Sequence, residues 1–529
     1  LIWIFNRQLR PGDRLDRKLI ANELEDSLIP VSDAVQRLAH QELVPISESD
    51  ERGTGWTRSA LPNRMSLKLI DQCKWQLINA FKRKCSNQNL CSNLNKSNAM
   101  RNRTLLFPTL VLCVGSLVQT AIAADRKPNI ILLMADDMGY ECLSCNGGES
   151  YTTPHLDQLA ASGVRFTDCH SQPVCTPSRC KIMTGLSNVR NYVDFGLLKQ
   201  GSRTFGHMLQ DVGYQTAIVG KWQLYGRDGN KVGKGTHPRD SGFHEYLLWQ
   251  IENRGSRYWK PDVERNGKVL DTTDADYGPD MFFDYAKDFM SRNKDQPFFL
   301  YYPMALTHSP FVATPANKQQ EGIKGQEAFA GMVSYTDDIV GRFVSLIKEL
   351  NIEQQTVFLF TGDNGTHRSI TSILDGKPLK GGKGLTIDSG THVPFIASWP
   401  GTIVPSVCRD LVDFSDFVPT LAEISGGIHP YADLADGQSF LPQLKGQKGN
   451  PRSWTYCFYH SNPKKGTAKV FARNHQWKLY ADGNLFDVLA DPEEATPVVM
   501  QSEEVNKIRS LLQSALDSKP SHLAVDAGQ

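Results

Sequence analysis

The sequence predicts a mixed α/β protein, with a mostly parallel central sheet covered by helices and a smaller C-terminal antiparallel sheet with a closing helix. Three observations predict it. Continuous apolar runs such as Asn129-Ile130-Ile131-Leu132-Leu133-Met134 and Thr356-Val357-Phe358-Leu359-Phe360-Thr361 suit strands buried on both faces. Stretches of helical period alternate with such runs, which is the order of a doubly wound sheet. After about residue 440 the texture changes to short strands separated by turn residues such as Asp482-Gly483-Asn484.

Residues 1–99 lack clear strand alternation, carry Lys82-Arg83-Lys84 and end in an Asn/Ser-rich run, so they read as an extension outside the core. Met100-Arg101-Asn102-Arg103, an apolar run from Leu105 to Val118 and Ala121-Ile122-Ala123-Ala124 read as a signal peptide over 100–124. The expectation is a start at Met100 and a secreted or periplasmic protein beginning near Asp125. The apolar run is too short for a stable membrane span. Residues 125–440 read as the main α/β domain and 441–529 as a small α+β subdomain.

Within the main domain, Thr216-Ala217-Ile218-Val219 ends at Gly220-Lys221, and Gln296 to Tyr302 leads into Thr307-His308-Ser309-Pro310. With the two runs above, four segments deliver Asp136-Asp137, Lys221, His308 and Asp363-Asn364 just past their ends. Open parallel sheets bind ligands along that edge. Helices are expected from Thr153-Pro154, over Ala328 to Leu350 and over Val412 to Ser425. The Asp337-Asp338 pair on the second of these reads as solvated or cap-pairing, because Tyr335 and Ile339 fix its buried face. The meander is expected over Lys469–Arg473, Trp477–Tyr480 and Leu485–Val488, and the closing helix over Glu503–Leu516.

A net charge of +1 gives no nucleic-acid surface, so any attraction for anions must be local. Eleven cysteines in 529 residues make no disulfide scaffold. Cys142-Leu143-Ser144-Cys145 has no second pair at zinc-finger spacing and reads as two packed small residues. Cys175-Thr176-Pro177-Ser178-Arg179 carries more. Thr176 is a good helix N-cap and Pro177 suits the first helical position, which leaves Cys175 at the helix mouth with Arg179 one turn on. A reactive group beside an arginine and a helix N-terminus suits an anionic substrate. Asp136, Asp137, Asp363 and Asn364 form an all-oxygen set that suits a hard cation such as calcium or magnesium rather than zinc. Lys221, His308 and Lys383 supply opposite charge, Lys383 from the glycine-rich loop Lys380-Gly381-Gly382-Lys383-Gly384. His308 suits proton transfer.

The Cys-Thr-Pro-Ser-Arg run continuing to Met183-Thr184-Gly185 resembles the signature of type I, formylglycine-dependent sulfatases of the arylsulfatase kind. So do Asp136-Asp137, Gly220-Lys221-Trp222, Thr307-His308-Ser309-Pro310, Asp363-Asn364-Gly365 and the Lys383 loop up to Val393-Pro394-Phe395. The likeness runs from Asn129 to about Val488. It implies an alkaline-phosphatase-like sandwich with a smaller C-terminal antiparallel sheet, and a secreted enzyme hydrolysing sulfate monoesters, of carbohydrates or aryl alcohols. It further implies that a maturation enzyme oxidises Cys175 to formylglycine, whose hydrate attacks sulfur. By the same resemblance, Asp136, Asp137, Asp363, Asn364 and modified Cys175 hold calcium, while Arg179, Lys221, His308 and Lys383 bind sulfate or assist the reaction.

One departure stands out: where the family writes Gly-Lys-Trp-His, this chain has Gln223. Glutamine cannot take a proton, so either another group, His392 or His367, serves in its place or turnover is slow. Two rivals remain, a phosphonate or phosphodiester hydrolase on the same fold and a sulfatase-like protein that binds sulfated glycans without cleaving them. Trp249, Arg254, Arg257, Tyr258 and Trp259 form an aromatic and basic insertion that reads equally as a sugar subsite or a packed loop.

Overall fold

The structure is a computed structural model that describes residues 126–520, except 227–230, 253–254, 321, 435 and 463–465, and the backbone of 15–16 and 55–56. The chain divides into two units, 1–113 and 114–529. In the first, Leu15–Asp16 pairs antiparallel with Gly55–Trp56. The expected signal peptide over 100–124 and the rest of 1–99 lie outside the described residues.

The second unit is built on a ten-stranded sheet. In chain order its strands are β1 Asn129–Ala135, β2 Val164–His170, β3 Gln215–Lys221, β4 Glu245–Trp249, β5 Val263–Arg265, β6 Lys268–Val269, β7 Phe298–Pro303, β8 Thr356–Gly362, β9 His392–Ser398 and β10 Ser406–Asp413. Across the sheet they run β10-β2-β9-β8-β1-β7-β3-β4-β5-β6. Neighbours are parallel except around β9, which opposes both β2 and β8, and around β5. The four runs expected as strands are the centre of this sheet. The β2, β4 and β10 strands were not expected, since their charged and polar letters dilute the apolar signal.

Burial on both faces follows the two-residue period of the backbone. Ile131, Leu133 and Ala135 enter one core with Leu156, Phe282, Phe289, Met332 and Phe343. Ile130, Leu132 and Met134 enter the other with Cys180, Ile182, Phe417 and Leu421. The helices that cover the sheet include α1 Pro154–Ala161, α2 Cys175–Thr184, α3 Gly278–Asn293, α4 Gly325–Glu349 and α5 Phe417–Ser425. Asp337 of α4 is the cap-pairing residue expected of it: its carboxylate accepts from Leu156 N (2.8 Å) and His155 N (3.1 Å) at the start of α1. Val412 belongs to β10 rather than to α5, because pairing beside β2 claims that stretch before Phe417 opens the helix.

A separate antiparallel sheet joins Thr455–Tyr459, Lys469–Arg473, Trp477–Tyr480 and Leu485–Asp487 in order, and the helix Glu503–Asp517 packs on it. Its first strand, Thr455–Tyr459, is an addition to the expected meander. Among the described residues no helix is long and apolar enough to cross a membrane.

Candidate active site

Strand register brings the acidic residues together. β8 lies parallel to β1 with Thr356 opposite Asn129 through to Gly362 opposite Ala135. The next residues, Asp363-Asn364 and Asp136-Asp137, therefore leave the sheet side by side. Asp137 N donates to Asp363 Oδ1 (3.0 Å), and Asn364 Nδ2 donates to Asp137 Oδ1 (2.9 Å). On the other flank, Thr307 N donates to Asp136 O (2.6 Å), which fixes the turn that carries His308.

The cations close over these acids. Lys221 Nζ, at the end of β3, bonds Asp136 Oδ2 at 2.7 Å. Lys383 Nζ bonds Asp137 Oδ2 at 2.5 Å, and His308 Nε2 stands 3.7 Å from the same oxygen. The Lys383 loop owes its glycines to close packing against its own chain. A Cβ on Gly381 would lie 2.4 Å from His367 O, and one on Gly382 2.4 Å from Ser389 Oγ.

Cys175 enters from α2. The helix begins one residue before Thr176, with Val174 in extended conformation ahead of it, so Cys175 is itself in the first turn and Thr176 is not the cap. Thr176 Oγ1 instead accepts from Gly196 N (3.0 Å). All ten residues of α2 are buried. Lys181 anchors its far end through Asp413 (2.6 Å) and Tyr456 O (2.8 Å). The Cys175 sulfur and oxygens of Asp136 and Asp363 all lie within 4.8 Å of one another. Arg179 is pinned by the carbonyls of Lys221 and Trp222, so it braces the β3 end that carries Lys221. Gln223 is beside the thiol, its Oε1 3.6 Å from Cys175 Sγ.

The electrostatics follow from burying these charges together. Burial pushes the Asp363 carboxyl up and the Asp136 charge pushes it further, well above the carboxylate range. Burial also works to raise Asp136, but Lys221, His308 and Lys383 outweigh it and hold that carboxyl below its usual value. Burial pushes His308 down to about 4, so its ring is neutral near pH 7. Burial raises the Cys175 thiol, which keeps it protonated and a poor nucleophile as it stands. Asp136 Oδ1 and Asn364 Oδ1 are buried with no hydrogen-bond partner among the described residues. Orphaned oxygens beside three carboxylates are what a hard cation satisfies, so the residues present fit calcium.

His392 is placed elsewhere. It stacks on Tyr140 with ring centroids 4.0 Å apart, lies 5.2 Å from the His170 ring, and its Nε2 contacts Thr167 O at 2.8 Å. These partners tie it to the joint of β2 and β9, where it lies opposite His170, rather than to the Cys175 cluster. His367 contacts Ser369 Oγ (2.9 Å) and the Phe311 ring. Of the insertion, Tyr258 and Trp259 are packing residues: the single Tyr258 O–H is shared between Ala305 O and His308 O, and Trp259 Nε1 donates to Ala313 O. Arg254 lies outside the described residues. Gln250, which sequence reasoning missed, is fully buried with both amide atoms unpartnered among the described residues, and its carbonyl accepts from Gln223 N (3.0 Å). No sequence signal marks it, since only the pairing beyond β3 and β4 brings it there.

Comparison with known proteins gives matches over most of this unit. A sulfatase family model matches residues 128–428, and one for the C-terminal part of N-sulphoglucosamine sulphohydrolase matches 382–521. Human arylsulfatase A is 30% identical over 475 residues, spanning 76% of this chain and 92% of that protein. Mouse N-acetylgalactosamine-6-sulfatase is 31% identical, over 70% of this chain and 75% of that protein. Among solved structures, Ps i-CgsB in complex with k-i-k-neocarrahexaose superposes with a TM-score of 0.62 at 27% identity, covering 74% of this chain and 92% of that one.

Proposed function

Since the chain belongs to the sulfatase family and is a sulfuric ester hydrolase of alkaline-phosphatase-like fold, we propose that it removes sulfate from sulfated carbohydrates at the Cys175 cluster. The observation that carries the site assignment is the convergence of Cys175, Asp136 and Asp363 within 4.8 Å beneath Lys221, Lys383 and His308. The carbohydrate class is supported by the sugar sulfatase among the relatives and the saccharide bound in the structural neighbour. Export through a signal peptide over 100–124 is part of this reading, as is a catalytic domain of 125–440 with a subdomain of 441–529.

Asp136, Asp137, Asp363, Asn364 and residue 175 would hold calcium. Bound there, the ion would act as a Lewis acid on a sulfuryl oxygen, and formylglycine at 175 would supply the oxygen nucleophile for sulfur. The rest is the work of this chain's own side chains. Lys221 and Lys383 stand where they neutralise a sulfate bound over the carboxylates, which is where charge develops as the ester bond breaks. Arg179 keeps Lys221 in place through the backbone. His308, partly exposed at the rim, is the candidate to pass a proton to the leaving alcohol; its ring is neutral near pH 7, so it would first take that proton up and then give it to the departing oxygen. Gln223 accepts or donates a hydrogen bond at residue 175 without changing protonation.

The test is the intact mass of the peptide containing Cys175 from a host with the converting enzyme, followed by hydrolysis assays. Loss of the thiol mass and turnover of aryl and sugar sulfates support the reading. An unmodified thiol with binding but no turnover would favour a glycan-binding role. Preference for phosphate or phosphonate esters would favour the rival hydrolase.

A further inference from the structure

Arg257 has no part in the chemistry assigned above, yet it stands at the edge of the cluster. Its guanidinium carbon lies 3.9 Å over the Trp249 ring, which is itself fully buried at the end of β4, so a flat hydrophobic shelf fixes the plane of the fork. The backbone there is equally fixed. A Cβ on Gly278 would come within 2.2 Å of Arg257 O, and the neighbouring Tyr258 hydroxyl ties the segment to Ala305 O (2.8 Å).

The guanidinium is held but not used. Arg257 is 8% exposed, and its Nη1 is buried without a hydrogen-bond partner among the described residues. The nearest carboxylate oxygen is Asp136 Oδ2 at 3.7 Å, beyond hydrogen-bond range, and that oxygen is already taken by Lys221 at 2.7 Å. Leaving a buried guanidinium N–H unpaired costs about as much as a charged hydrogen bond is worth. The planar fork holds its unpartnered Nη1 in a fixed direction toward an oxyanion oxygen, as the freely turning ammonium of a lysine does not.

Resting on the reading of the Cys175 cluster as the hydrolytic site, we propose that Arg257 is a substrate-binding residue whose unpartnered Nη1 grips an oxygen of the sulfate group being transferred. Lys221 and Lys383 act on that sulfate as point charges. Arg257 sets its orientation, and Trp249 sets Arg257.

The experiment uses the matured, calcium-loaded protein and inorganic sulfate, the product, as the probe. Its inhibition constant against aryl sulfate hydrolysis is compared for wild type, Arg257→Gln and Arg257→Lys, with bound calcium measured directly in each. The expected result is sulfate binding weakened about 10–100-fold in Arg257→Gln, the range for losing a charged hydrogen bond. Arg257→Lys is expected to recover only part of it, with calcium content unchanged in both. Unchanged sulfate inhibition in either folded variant overturns the assignment. So does a parallel fall in calcium binding, which would make Arg257 a support for Asp136. A wild-type protein that neither binds sulfate nor cleaves its esters removes the functional reading beneath it, a result separate from failure of Arg257 alone.

Discussion

Two buried charge clusters lie in the same unit, and they differ in how their valences close. At Asp388, the carboxylate meets Arg473 at 2.5 Å and Lys478 at 3.6 Å; Lys478 also bonds Glu494 and Thr386 O (2.7 Å), and Arg473 bonds Asn474 O (2.8 Å). None of these four charged side chains has an unpartnered buried atom among the described residues. At the Cys175 cluster, orphaned atoms remain on Asp136, Asn364, Arg179 and Arg257. Desolvation is costly in both places. The first network offsets it internally and joins β-sheet to C-terminal meander; the second leaves the offset to something that binds.

The largest effect that sharpens this contrast is on chemistry. Cys175→Ala is expected to lower sulfate ester hydrolysis by roughly 10⁴-fold or more, the scale of removing a covalent nucleophile, while thermal melting shows the fold retained. Activity within tenfold of wild type would detach the thiol position from the reaction.

Asp388→Asn is expected to do the reverse: to cost about 2–3 kcal/mol of stability, less than removing one partner from a fully buried pair because Asp388 is 23% exposed, with activity per folded molecule kept. Burial pushes Asp388 up, but Arg473 and Lys478 outweigh it and hold it below the carboxylate range. A depressed folded value gives stability that is fully present above the unfolded value of about 3.9, starts to decline there and goes on declining as pH falls toward the folded value. Denaturant melts from pH 7 down to 3 therefore are expected to show wild type approaching the variant. A pH-independent gap would break the account of this network.

Calcium comes next. At a hundredfold excess over its dissociation constant it is expected to stabilise the protein by about 2.7 kcal/mol, and Asp363→Asn to abolish that gain while chelation stops turnover. The Asp388 network is expected to be indifferent to the ion; equal calcium stabilisation in Asp363→Asn would move the metal elsewhere.

The smallest effect concerns Gln223. Replacing it by His puts a group able to exchange a proton beside residue 175, and kcat is expected to rise about tenfold, the low side of acid–base contributions. Unchanged sulfate release would show that position 223 does not limit the rate.

The centre of the sheet was legible because β1, β3, β7 and β8 are continuous apolar runs, each ending on chemistry-bearing letters, and burial on both faces leaves few other ways to write such strands. The edges were less legible. β10 reads Ser-Val-Cys-Arg-Asp-Leu-Val-Asp and is partly exposed, so its strand character comes from pairing with β2 and not from its own pattern. The same limit applied to Thr455–Tyr459 and to the start of α2, where tertiary packing of a wholly buried helix set the boundary ahead of the capping preference of Thr176.

By itself, the sequence determined the fold class, the strands at the middle of the sheet and the identity of the residues that meet at Cys175, since these depend on local apolar runs and on side-chain chemistry written at fixed places. Only the tertiary structure decided which of them touch. The in-register pairing of β8 with β1 sets Asp363 against Asp137, the pairing of β9 with β2 sets His392 against His170 and Tyr140, and the end of β4 lays Arg257 on Trp249. Long-range register and strand direction are properties of the assembled sheet, and no stretch of chain carries them alone.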